Sequence, residues 1–161
     1  MKLRRLPLIF TVLALLCLLS ACTDRAEEIQ DTAPVVPMTP TALYTQIADA
    51  APLPAMITLT AEELFDVIGI DPAWYTESAA YFAADGTSPD EILIFRAVDD
   101  ASASALEEVL HARLQYKQDS AAQYLTENQA MLEDGTVRRD GLTVALLVTA
   151  DMDAVLDVYR P

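Results

Sequence analysis

The residues whose chemistry can be named from type and spacing alone are Leu19, Ser20, Ala21 and Cys22. Leucine, two small residues and a cysteine form the pattern of a bacterial lipobox. In that chemistry the cysteine thiol takes a diacylglycerol through a thioether bond, and cleavage then makes Cys22 the new N-terminus. Ordinary signal cleavage prefers small residues at the third and first positions before the cut. Ala21 meets the second requirement and Leu19 fails the first. Cys17 lies inside the preceding apolar run and leaves with it, so Cys22 is the single cysteine of the processed chain. An intramolecular disulfide, a thiolate metal cluster and a cysteine nucleophile in the folded part are thereby excluded. One acyl chain anchors only marginally, at about 0.8 kcal/mol per buried methylene, whereas a diacylglyceryl group brings two.

The next set is polar. Arg113 and Lys117 are four residues apart on a helical stretch and share a face, with Tyr124 two turns further along nearly the same stripe. If that stripe faces a sheet, Glu91 at the start of a strand pairs with Arg113 and the Tyr124 hydroxyl completes the set. The expectation is a structural ion pair rather than a ligand site. Acidic neighbours at Asp99-Asp100, Glu107-Glu108, Glu133-Asp134 and Asp151 with Asp153 flank expected helix ends, where capping and solvation account for them. Asp85-Gly86-Thr87-Ser88-Pro89-Asp90 fails the calcium-loop pattern, having Gly second and Pro fifth. His111, the only histidine, has no neighbouring nucleophile in sequence and reads as an exposed helix residue. The four glycines do not cluster, so there is no phosphate-binding loop. No catalytic residue, cofactor or metal site is expected.

Charge narrows the partners. All 25 acidic residues follow Ala21, while three of the ten basic ones (Lys2, Arg4, Arg5) precede it. The processed chain therefore holds seven basic residues against 25 acidic, a net −18 compared with −15 for the whole. That balance argues against nucleic acid, whose phosphates need Lys and Arg, and against electrostatic adhesion to anionic headgroups, and leaves metal cations or a basic partner open. It suits solubility near an anionic envelope.

These residues need elements to position them. Residues 1–21 read as a lipoprotein signal: three basic residues, then fourteen residues from Leu6 to Leu19, too few for a permanent span of roughly 20. Residues 22–40 hold Pro34, Pro37 and Pro40 and no aromatic residue, the composition of a disordered tether. Its eighteen residues from Thr23 would reach roughly 55 Å extended and average nearer 23 Å as a coil. Residues 41–161 form one domain. Apolar spacing predicts helices over Thr41–Ala51 and after Thr60, where Thr60 and Glu63 have capping-box spacing and Gly69 supplies the stop. Trp74–Ala84 and Glu91–Val98 read as a hairpin, with Ile92-Leu93-Ile94-Phe95 central and buried on both faces. Ala101–Leu132 reads as the longest helix, with a capping box from Ser104 to Glu107 and a break at Leu125 to Asn128. Thr136–Thr149 is a second hairpin or one bent strand, and Asp151–Tyr159 a last short helix capped by Asp151. The expected class is α+β: two layers, an antiparallel sheet of three to four strands packed by one long helix and short flanking helices.

Gly69-Ile70-Asp71, Asp90-Glu91-Ile92, Arg113 with Tyr124, and Gly141 together carry a resemblance. In order and placement the chain resembles the Firmicutes lipoproteins of domain of unknown function 4358, over roughly residues 43 to 150. Trp74 and Tyr75 depart slightly from the strand entry expected there. The resemblance implies a lipoprotein on the surface of a Gram-positive bacterium and implies no activity. The expected role is a membrane-anchored, non-catalytic binding or interaction module with an envelope partner. The alternatives are a cation or small-ligand binding lipoprotein, or an accessory hydrolase with an acidic site.

Overall fold

The computed structural model describes residues 37–124 and 128–161, with the side chains of residues 123 and 124 also outside the description. The signal, the lipobox at Leu19–Cys22 and most of the tether lie outside the described residues, as does the Tyr124 side chain.

Among the described residues, five helices and five strands follow in the order α1 (Pro40–Ala50), β1 (Met56–Thr58), α2 (Ala61–Ile68), β2 (Tyr75–Ala83), β3 (Glu91–Ala97), α3 (Asp100–Tyr124), α4 (Gln129–Asp134), β4 (Thr136–Asp140), β5 (Thr143–Val148) and α5 (Met152–Val158). The α+β class is as expected, and the sheet is antiparallel throughout. Its strand order is β1-β2-β3-β5-β4, which makes β3 central.

Local signals act where the sequence places them. Thr60 Oγ1 accepts from the Glu63 amide at 3.3 Å while Glu63 Oε2 accepts from the Thr60 amide at 2.8 Å, a complete capping box. Gly69 closes α2 in the left-handed region at φ 87°, its N–H reaching the carbonyls of Leu64 and Phe65. Asp151 caps α5 through the Ala154 amide. The long helix differs: its cap is Asp99, which accepts from the Ser102 amide at 2.8 Å. Ser104 instead bonds back to the Asp100 carbonyl and does not form a box with Glu107. Trp74 belongs to a 3-10 turn over Pro72–Trp74, capped by Asp71, so β2 starts one residue later than expected.

Strand alternation sends β3 side chains to two separate cores. Leu93, Phe95 and Ala97 join Val144, Leu146 and Val148 beneath α3, with Leu106, Leu110 and Leu114 supplying the helix side. Ile92 and Ile94 join Ala145 and Leu147 on the opposite face, covered by Leu43 and Ile47 of α1 and Met152 and Val155 of α5. The expected two layers are therefore three, and the expected three to four strands are five. The reason is in the strands themselves: β3 is buried at every position but Arg96 and β5 at all six, which needs helices on both faces. The fifth strand is β1, three residues long between Pro54 and Thr60, too short to show an alternating pattern.

The folded unit also reaches slightly further back than Thr41. Pro40 is the first helical residue and is buried, Thr39 caps α1, and the Arg96 guanidinium donates to the Met38 carbonyl at 2.7 Å. No helix among the described residues is long and apolar enough to cross a membrane.

Candidate functional site

Alternation explains why a carboxylate ends up under α3. Counting back by twos from Phe95 and Leu93 puts Glu91 on the same face, at the first position of the strand. There it is wholly buried. An isolated buried carboxylate would cost several kcal/mol, so its partners decide whether the fold tolerates it.

The partners come from one stripe of α3. Arg113 donates through Nε to Glu91 Oε1 at 3.2 Å and through Nη2 to Oε2 at 3.3 Å. Lys117, one turn further on, donates to Glu91 Oε2 and at 2.8 Å to the Pro89 carbonyl. The guanidinium also lies 5.7 Å from the centre of the Phe82 ring, and Phe82 is the residue of β2 directly opposite Glu91. One strand pair thus offers Arg113 a carboxylate and an aromatic face side by side. Burial pulls the Lys117 ammonium below its ordinary range, and attraction to Glu91 works against that pull.

The β2–β3 turn completes the cluster. Asp85 Oδ1 accepts from the amides of Thr87 and Ser88, both at 2.9 Å, and holds the turn in shape. Asp90 is 4% exposed; its Oδ2 accepts from the Ser88 hydroxyl, and its Oδ1 is buried with no partner among the described residues. Asn128 donates to the Thr87 carbonyl at 2.9 Å, linking the turn to the segment ahead of α4. Between these groups lies a cavity of about 310 Å³, walled by Phe82, Asp90, Arg113, Tyr116, Lys117 and Asn128.

The expected pair of Glu91 and Arg113 is brought together, and the Lys117 noted on the same stripe completes it. Tyr124, the third expected member, has its side chain outside the described residues. Asp90 is the member that sequence reasoning left among the turn residues. The signal that could have found it is the tandem Asp90-Glu91 at a strand entry, where the second residue must point inward. Two of the other acidic pairs meet away from this cluster, where Asp100 and Glu107 both reach Arg139 at the surface, at 2.9 and 3.5 Å. No group of three metal-ligating side chains occurs among the described residues. His111 is exposed on α3, as expected. Glu91 has both oxygens occupied by cations, which leaves it poorly placed to take a proton from a substrate.

The class defined by these features is a three-layer α+β domain with a cation-paired buried carboxylate beneath a small cavity. Residues 49–149 match the family described as Domain of unknown function (DUF4358), and the chain belongs to that family. Comparison with curated proteins and with solved structures returned no significant match.

Proposed function

We propose that this protein is a lipoprotein, anchored through diacylglyceryl-Cys22 to the extracytoplasmic face of a Gram-positive membrane, where its domain serves as a non-catalytic binding module. Anchoring is supported by the order of basic residues, apolar run and Leu19-Ser20-Ala21-Cys22. The binding role is supported by one observation above the others: a cavity of about 310 Å³ is lined by three charged side chains, Asp90, Arg113 and Lys117, the last two of which are held by Glu91 behind them. Such a pocket, with a few convergent polar groups, is the ordinary form of a small binding site. The engagement of Glu91 by two cations favours binding over acid–base catalysis.

The test is metabolic labelling with a fatty-acid probe, together with crosslinking and affinity purification from intact cells. The wild-type chain is expected to take the label, fractionate with membranes and capture envelope neighbours. Cys22→Ser is expected to lose the label and leave the membrane fraction. A membrane-bound, unlabelled wild-type chain would overturn the anchor.

A further inference from the structure

Resting on the binding reading just given, we infer that the cavity takes a small zwitterion, a molecule with one free amine and one free carboxylate such as a short peptide. The amine goes to Asp90 and the carboxylate to Arg113.

Three observations carry this assignment. First, Asp90 is almost wholly buried, and the described residues supply a donor to only one of its two oxygens. Oδ1 has no partner among the described residues. A buried carboxylate oxygen left in that state gains most from a charged N–H donor, and an entering amine is one. Second, Arg113 commits Nε and Nη2 to Glu91, while Nη1 has no acceptor among the described residues. An uncommitted N–H on a guanidinium that lines the cavity can donate to one oxygen of an entering carboxylate. Third, the charges of Asp90 and Glu91 cancel those of Arg113 and Lys117. A ligand of either net sign would upset that balance in a poorly solvated place, whereas a zwitterion preserves it. The volume, about 310 Å³, lies at the small end of ligand pockets, which start at about 300 Å³. Phe82 and Tyr116 add apolar wall for the carbon skeleton between the two charges.

The experiment uses the whole chain in detergent micelles and saturation-transfer NMR with three probes: alanyl-alanine, its N-acetyl form and its C-terminal amide. The free dipeptide is expected to bind. Capping either end is expected to weaken affinity about tenfold or more, the effect of losing one hydrogen bond to a charged group. Asp90→Asn is expected to erase the distinction between the free and acetylated probes and keep that between acid and amide. Equal binding of all three probes to the wild-type chain, or a silent free dipeptide at millimolar concentration, overturns the assignment. An envelope partner captured by crosslinking alongside a silent dipeptide overturns the zwitterion and leaves the anchored module standing. Dipeptide binding without any captured partner does the reverse for the protein-interaction role.

Discussion

The two faces of the central strand are equally dry, yet they solve burial differently. Under α3, the row that ends in Leu93 and Phe95 begins with Glu91, and the helix above it answers with Arg113 and Lys117. Under α1 and α5, Ile92 and Ile94 meet Leu43, Ile47 and Val155, and the contact is almost wholly apolar. Its most specific pairing is aromatic, Tyr44 stacked on Tyr81 with ring centres 3.5 Å apart. The difference lies in what each helix can present. A long helix lying over β3, β5 and β4 can bring two cations, one turn apart, to a single strand position; the short α1 and α5 place Leu43, Ile47, Met152 and Val155 on the other face. The wholly buried charge among the described residues, Glu91, lies on the face whose helix can neutralise it, and the cavity lies on that face.

Breaking the pairing should give the largest effect. Arg113→Ala removes the bidentate partner and the cation over Phe82, leaving Glu91 with Lys117 alone. A loss of about 3–5 kcal/mol is expected in denaturant unfolding, as for a buried pair broken on one side. Replacing the whole set together, Glu91→Leu with Arg113→Met and Lys117→Met, should recover most of it, since apolar isosteres of buried ion clusters are often neutral. An Arg113→Ala chain as stable as wild type would mean the charges are solvated and the contrast between faces is illusory.

A smaller effect tests how tightly the α3 face is closed. Gly135 sits between α4 and β4, and a β-carbon there would meet Val148 Cγ2 at 2.9 Å, Leu114 Cδ1 at 3.1 Å and the Leu132 carbonyl at 3.1 Å. Its backbone angles are ones any residue adopts, so the obstacle is space alone. Gly135→Ala is expected to cost about 1–3 kcal/mol by overpacking. A neutral or stabilising result would show that α4 can lift from β5 and that the core there is looser than it looks.

Which parts were legible in the sequence follows from the range of the forces involved. Thr60 with Glu63, Gly69 and Asp151 act within one turn of backbone, so residue type and spacing reveal them. The buried character of Ile92-Leu93-Ile94-Phe95 is equally local. Glu91 with Arg113 was legible because a strand start and a helical stripe each fix a direction. The Met56–Thr58 strand was not, because three residues carry no period and gain their identity only by pairing with Tyr81, Phe82 and Ala83. The third layer was missed because one buried strand reads the same whether a second helix lies over it or only a turn. The cap at Asp99 was missed because Ser104 with Glu107 offered the same spacing five residues on. Asp90 lay hidden in a turn whose composition already explained it.

The smallest expected effect is on the other face. Tyr159 closes that core, 5% exposed, with a hydroxyl that has no partner among the described residues. Burial, helped by the Asp140 carboxylate, pushes its pKa up to about 12 from an ordinary 10.0. The folded state therefore holds the proton where the unfolded chain has released it. The stabilisation from this group is complete below pH 10 and is lost as pH rises from 10 to about 12, at no more than roughly 1.4 kcal/mol per pH unit. Tyr159→Phe removes an unsatisfied hydroxyl without leaving a hole. Near neutral pH it should change stability by less than about 0.5 kcal/mol, or raise it slightly. Above pH 10 the variant should lose stability more gently than wild type, because one titrating group is gone. Unfolding curves of both chains from pH 8 to 12 check this. A clear loss at neutral pH in the variant would mean the hydroxyl is hydrogen-bonded after all, and that the apolar face pairs a polar group it buries, as the other face pairs Glu91.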